Sequence, residues 1–158
     1  MCDYSLMAIP NRLAVSGEEL VFHRFEAGTV GLASALDLRL RQENCKPAKC
    51  GFWSSLKNFL NPADTPSVPA VCIPPGAHLL VQDIPAKLQR ECGIQKDVEA
   101  VFTQITATVN SFRDAVRFPN GLEVLLQRFA EGQRVRVLDV SSAEEPETAS
   151  HGEQRVMI

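Results

Sequence analysis

Asn120 to Val140 reads Asn-Gly-Leu-Glu-Val-Leu-Leu-Gln-Arg-Phe-Ala-Glu-Gly-Gln-Arg-Val-Arg-Val-Leu-Asp-Val. It holds two apolar-rich runs, Leu122 to Phe129 and Arg134 to Val140, separated by Ala130-Glu131-Gly132-Gln133. Strand-forming runs joined by a short glycine-bearing link predict a β-hairpin. The same pattern recurs near the start, where Gly17 to Gly28 lies over Gly121 to Gly132 without a gap. Gly17, Glu19, Arg24, Phe25 and Gly28 coincide with Gly121, Glu123, Arg128, Phe129 and Gly132. Two related hairpins, one near each end, are therefore expected to frame the fold. Independent arrival at one hairpin solution would explain the likeness equally well. A motif present twice is a poor candidate for a unique active centre.

Outward from these segments the chain alternates short apolar runs with turn residues. Leu20 to Phe25 and Val30 to Ser34 form the first hairpin about the bend Glu26 to Thr29. Ala35 to Arg41 sets Leu36, Leu38 and Leu40 against Asp37, Arg39 and Arg41. This period of two predicts a half-buried strand. Val68 to Ile73 and His78 to Gln82 are expected to pair across Pro74-Pro75-Gly76, a type II turn sequence. A short helix follows, capped by Asp83, with Pro85 in its first turn and Gly93 as its stop. Asp97 to Val109 and Ser111 to Phe118 give further strands before the strong turn Pro119-Asn120-Gly121. The fold class is mainly β, a β-rich α+β chain forming a compact barrel or sandwich of short antiparallel strands with one or two short helices.

Residues 1–140 are expected to form a single domain with a proline-bounded insert at 44–67, and 141–158 a disordered acidic tail. At 158 residues the chain is long enough to bury a core without cross-links. Its net charge of -3 is accounted for by Glu144, Glu145, Glu147 and Glu153 against Arg155 in the tail. The near-neutral remainder offers no footprint for nucleic acid. No secretory apolar region opens the chain, and no apolar run reaches membrane-spanning length, so a cytoplasmic protein is expected. Five cysteines, an odd number, predict reduced thiols over a disulfide framework.

Within the insert, Phe52, Trp53, Leu56, Phe59 and Leu60 fall on an arc of roughly 120° at helical spacing. Each would contribute about 1.5 to 3 kcal/mol when fully buried, so something must cover them. The cover is either the protein's own sheet or a partner groove. A membrane surface is the least favoured, because Lys46, Lys49 and Lys57 supply little attraction to anionic lipid.

Cys2 would carry a free amine beside its thiol once Met1 is removed, the arrangement of an N-terminal nucleophile. Packing at the start of the first strand is the plainer reading. Cys45 and Cys50 stand at the loose end of zinc-ligand spacing but lack a second close pair, so no metal is expected. Lys46 and Lys49 would favour their thiolates and a redox role. His23 stands where the second segment carries Gln127, which suggests a structural position. No catalytic constellation, phosphate loop or cofactor motif can be assembled from sequence order.

The opening Met-Cys-Asp-Tyr-Ser-Leu, with Val71-Cys72-Ile73-Pro74-Pro75-Gly76 and the closing Asn-Gly and Glu-Gly-Gln turns, resembles small bacterial proteins that begin Met-Cys-Asp-Tyr-Ser. That resemblance implies a bacterial cytosolic origin and carries no activity, cofactor or partner. The residues themselves point to a small binding or interaction protein using the 52–60 helix as its contact face. The alternative is a cysteine-dependent enzyme or redox sensor with Cys2 as nucleophile.

Overall fold

The computed structural model describes residues 9–25, 28–44, 67–105, 112–141 and 156–157. Its strands are β1 (Asn11–Leu13), β2 (Glu19–Arg24), β3 (Val30–Ser34), β4 (Ala70–Cys72), β5 (His78–Val81), β6 (Val98–Gln104), β7 (Asp114–Arg117), β8 (Glu123–Leu125), β9 (Arg134–Asp139) and β10 (Val156–Met157). Two helices, α1 (Ala35–Asn44) and α2 (Ala86–Cys92), complete the described elements, together with one 3-10 turn at Leu126–Arg128. All ten strands join one sheet in the order β1-β4-β3-β2-β9-β5-β6-β7-β8-β10. The end pairs β1 with β4 and β8 with β10 are parallel, and every other pair is antiparallel.

Alternation along the strands builds the core. On β2, Leu20 and Phe22 point inward, and on β9 Val135 and Val137 do so while Arg134 and Arg136 face out. One buried cluster combines Phe22, Leu32 and Val71 from one wing of the sheet with Phe102, Val116 and Val124 from the other. The sheet thus folds over itself around a shared core. The terminal strands β1 and β10 do not pair, so no barrel closes and a sandwich describes the packing. Helix α2 adds Leu88 and Cys92 to this core. Helix α1 packs Leu38 on a second, smaller cluster of Phe25, Ala33, Val68 and Ala70.

Between the wings, a side chain supplies the link. The Gln127 amide donates to the Val30 carbonyl at 2.8 Å and accepts from the Val30 N–H at 3.0 Å. It thereby satisfies both main-chain groups of a residue only 2% exposed. Beside it, the rings of Phe22 and Phe129 stack with centroids 4.4 Å apart.

Four sequence expectations are corrected. The segment 122–140 is not a hairpin, because β8 pairs with β7 and β10 while β9 pairs with β2 and β5. After Leu125 the chain enters the 3-10 turn, and Gly132 N–H then bonds to the Phe22 carbonyl at 2.8 Å, which carries β9 to the other side of the core. The first hairpin, β2 with β3, forms as expected. The Ala35 to Arg41 run is helical, since its Ala, Leu, Arg and Gln residues favour helix and none is β-branched. Leu36 and Leu40 stay on its exposed side. The Pro74-Pro75-Gly76 turn forms, with Gly76 at φ 89°, but its Gly76 N–H bonds to the Phe102 carbonyl and draws β5 onto β6 instead of β4. Asp83 does not cap α2; its backbone is left-handed at φ 54° and its carboxylate binds Lys96 and Arg134.

Replacing Gln127 with Met, close to it in shape, would strand both Val30 main-chain groups. Urea unfolding should show a loss of about 2 to 4 kcal/mol, as expected for two buried groups without partners.

Candidate functional site

Every side chain that the sequence singles out for chemistry or contact lies outside the described residues: Cys2, Cys45, Cys50, Phe52, Trp53, Leu56, Phe59 and Leu60. The described residues bring together a different set. β2 ends in His23-Arg24, and Phe25 follows into the second cluster. The Gly28 N–H returns to the Phe25 carbonyl at 2.8 Å, with Gly28 at φ 79°, so the bend is tight. Arg24 Nη1 donates to the Gly28 carbonyl at 2.8 Å, which fixes one edge of its guanidinium. From the other side, α1 contributes Arg41. His23, Arg24 and Arg41 together line a cleft of about 320 Å³ whose apolar wall is Ile9, Pro10, Phe25 and Val68. Ser67 completes its polar rim.

Neighbouring contacts set the charge of this cleft. Arg12 on β1 grips Glu18 and also reaches Asp37 of α1 at 3.8 Å. Asp37 lies one helical turn before Arg41 and would be its natural partner at i,i+4 spacing, but it is drawn to Arg12 instead. Arg41 is half-buried and, among the described residues, has no ion-pair partner. The His23 ring is held edge-on to Phe25 at 4.9 Å, and its Nδ1 lies 3.3 Å from the exposed Glu131 carboxylate. The cleft therefore concentrates fixed positive charge against an apolar wall, with one carboxylate at its margin.

The sequence echo hid this site, because matching Arg24 with Arg128 made both look structural. The structure separates the copies. Arg128 is neutralised by Glu91 at 3.0 Å and Gln127 links the two wings, whereas Arg24 and His23 line the cleft. Glu123 is buried against Arg117, while its counterpart Glu19 is exposed and bound to Arg136. The useful signal would have been the pairing state of each arginine, which depends on strands distant in sequence.

A second cavity of about 260 Å³ lies between α1 and the β2–β9 surface, but Glu19 and Arg134 in its lining are already bound to Arg136 and Asp83. Among the described residues no three His, Cys, Asp or Glu side chains assemble as metal ligands. No helix of the described residues is long and apolar enough to cross a membrane. Cys72 is disulfide-bonded, against the expectation of reduced thiols, and Cys92 is a buried cysteine whose pKa is raised chiefly by burial. Comparison with protein-family models, with curated proteins and with solved structures gives no match.

Two outcomes follow from these contacts. The Arg12 hydrogen bond, helped by the Val15 N–H, holds the Glu18 carboxyl below its ordinary value. A depressed carboxyl stabilises the fold above its unfolded pKa and loses that contribution as pH falls through the folded one. Acid titration of stability should therefore fall less steeply below about pH 4.5 in Glu18→Gln, which should already be weaker at neutral pH. Reduction of the purified protein should add two hydrogens to the intact mass for the Cys72 disulfide. Cys72→Ser should lower stability by about 2 to 4 kcal/mol in thermal unfolding.

Proposed function

We propose that the chain is a small ligand-binding protein whose site is the cleft at the turn end of the β2–β3 hairpin, and that its ligand is anionic. The carrying observation is Arg41, a half-buried guanidinium without an ion-pair partner among the described residues, placed in a cleft that Arg24 and His23 also line. Burying a charge without a counter-ion is unfavourable, and an anion in the cleft would supply one. Hydrogen bonds to charged groups contribute about 1.5 to 3 kcal/mol each. The volume is at the lower end for ligand pockets, so a small molecule suits it.

A contact face for a protein partner on residues 52–60 is a separate proposal, and the helical spacing of their apolar side chains in the sequence alone supports it. The competing proposal, a cysteine-dependent enzyme or redox sensor with Cys2 as nucleophile, rests on the sequence alone. Residence in the cytoplasm also stands as a proposal, and the disulfide at Cys72 counts against it, since cytosolic disulfides are mostly transient.

Thermal unfolding in the presence of matched aromatic anions and cations, benzoate and benzylamine, tests the binding reading. Benzoate should raise Tm with concentration while benzylamine leaves it unchanged. Equal shifts, or none with any anion, would remove the reading.

A further inference from the structure

Resting on the anion-binding reading, we infer that the ligand is a phosphate monoester with a small apolar or aromatic body. The two halves of the cleft set the two halves of the molecule. Arg24 and Arg41 enter from different elements, the end of β2 and the last turn of α1, and His23 adds a ring nitrogen donor or acceptor between the hairpin and Glu131. A carboxylate is satisfied by one guanidinium fork. Two forks, of which only one N–H edge is committed to the Gly28 carbonyl, present more donors and more charge than a carboxylate can use. A dianionic phosphate, with three terminal oxygens, matches that supply.

The opposite wall sets the body. Phe25 and Val68 are buried members of the smaller core cluster, and Ile9 packs against it, so the cleft floor continues the apolar interior. Pro10 extends that surface. A volume of about 320 Å³ accommodates a phosphate carrying one ring or a short chain. Free phosphate would use the donors and leave the apolar wall wet.

Calorimetric titration with phenyl phosphate, benzoate, inorganic phosphate and benzyl alcohol separates these elements. Phenyl phosphate should bind at least about tenfold tighter than benzoate or inorganic phosphate, and benzyl alcohol should not bind. Arg41→Gln should weaken phenyl phosphate by about ten- to a hundredfold, and Arg41→Lys, which keeps the charge and loses the fork, by less. Arg41 has no ion pair to lose among the described residues, and unchanged circular dichroism and Tm of the unliganded variants would establish that they fold. If benzoate binds as tightly as phenyl phosphate, the phosphate inference falls and the anion site stands. Inorganic phosphate matching phenyl phosphate would overturn the apolar body. If phenyl phosphate binds Arg41→Gln as tightly as the parent protein, the cleft is not its site. Failure of every anion to bind would overturn both readings.

Discussion

The two rungs between the Gln127 amide and Val30 are the contact on which the arrangement of the sheet turns. A single sheet of ten strands must bury its concave face against itself, and its wings need a meeting point that satisfies the outward main-chain groups of β3. Another strand could have done this and closed a barrel. Instead one side-chain amide has the donor and acceptor of a peptide group and occupies a single rung. The sheet consequently stays open at β1 and β10, while Phe22 and Phe129 stack directly beside the link. Arg24 pairs with Val30 in the ladder, so the single rung stands beside the turn end of the hairpin, where the cleft lies.

What the sequence conveyed was local chemistry. Period-two burial in β2 and β9, the left-handed glycine at Pro74-Pro75-Gly76, and the glycine stop of α2 at φ 64° all follow from residues within one turn of each other. Pairing partners were legible only where a tight turn dictated them, as across Asn120-Gly121 between β7 and β8. Where the link was longer, as between β8 and β9, alternation identified strand-forming residues but could not say which neighbour they would meet. The leucine alternation of 35–41 misled because three leucines at alternate positions suit either period over so short a run, and helix propensity with docking of Leu38 prevailed. The cleft was invisible for a related reason. Its charge depends on Asp37 being drawn to Arg12, a contact between β1 and α1 that no spacing rule contains.

The echo between 17–28 and 121–132 shows how similar sequences can be put to different ends. Left-handed glycines stand at the same four positions, 17, 28, 121 and 132, and Phe25 and Phe129 are both buried. Their polar residues diverge in use. In the second copy glutamine and arginine are consumed by contacts that hold the fold together, and in the first their counterparts border open space. Likeness of pattern thus reflects shared demands on turns and core positions, and the difference between copies marks where the surface has been left available.

The smaller cluster under α1 has few buried side chains of its own, with Phe25, Ala33, Val68 and Ala70 facing Leu38 and Ile9. Two of those four are alanines, so this corner gains much less from burial than the main core does. It is also the floor of the cleft. Helix α1 is held there by Leu38 and by the Arg12–Asp37 contact, and an occupant touching both Phe25 and Arg41 would act as a keystone between helix and hairpin. Ordering of this corner and filling of the cleft would then be one equilibrium, felt as a local change in protection of α1 and β4 while the strands of the main core hold their positions.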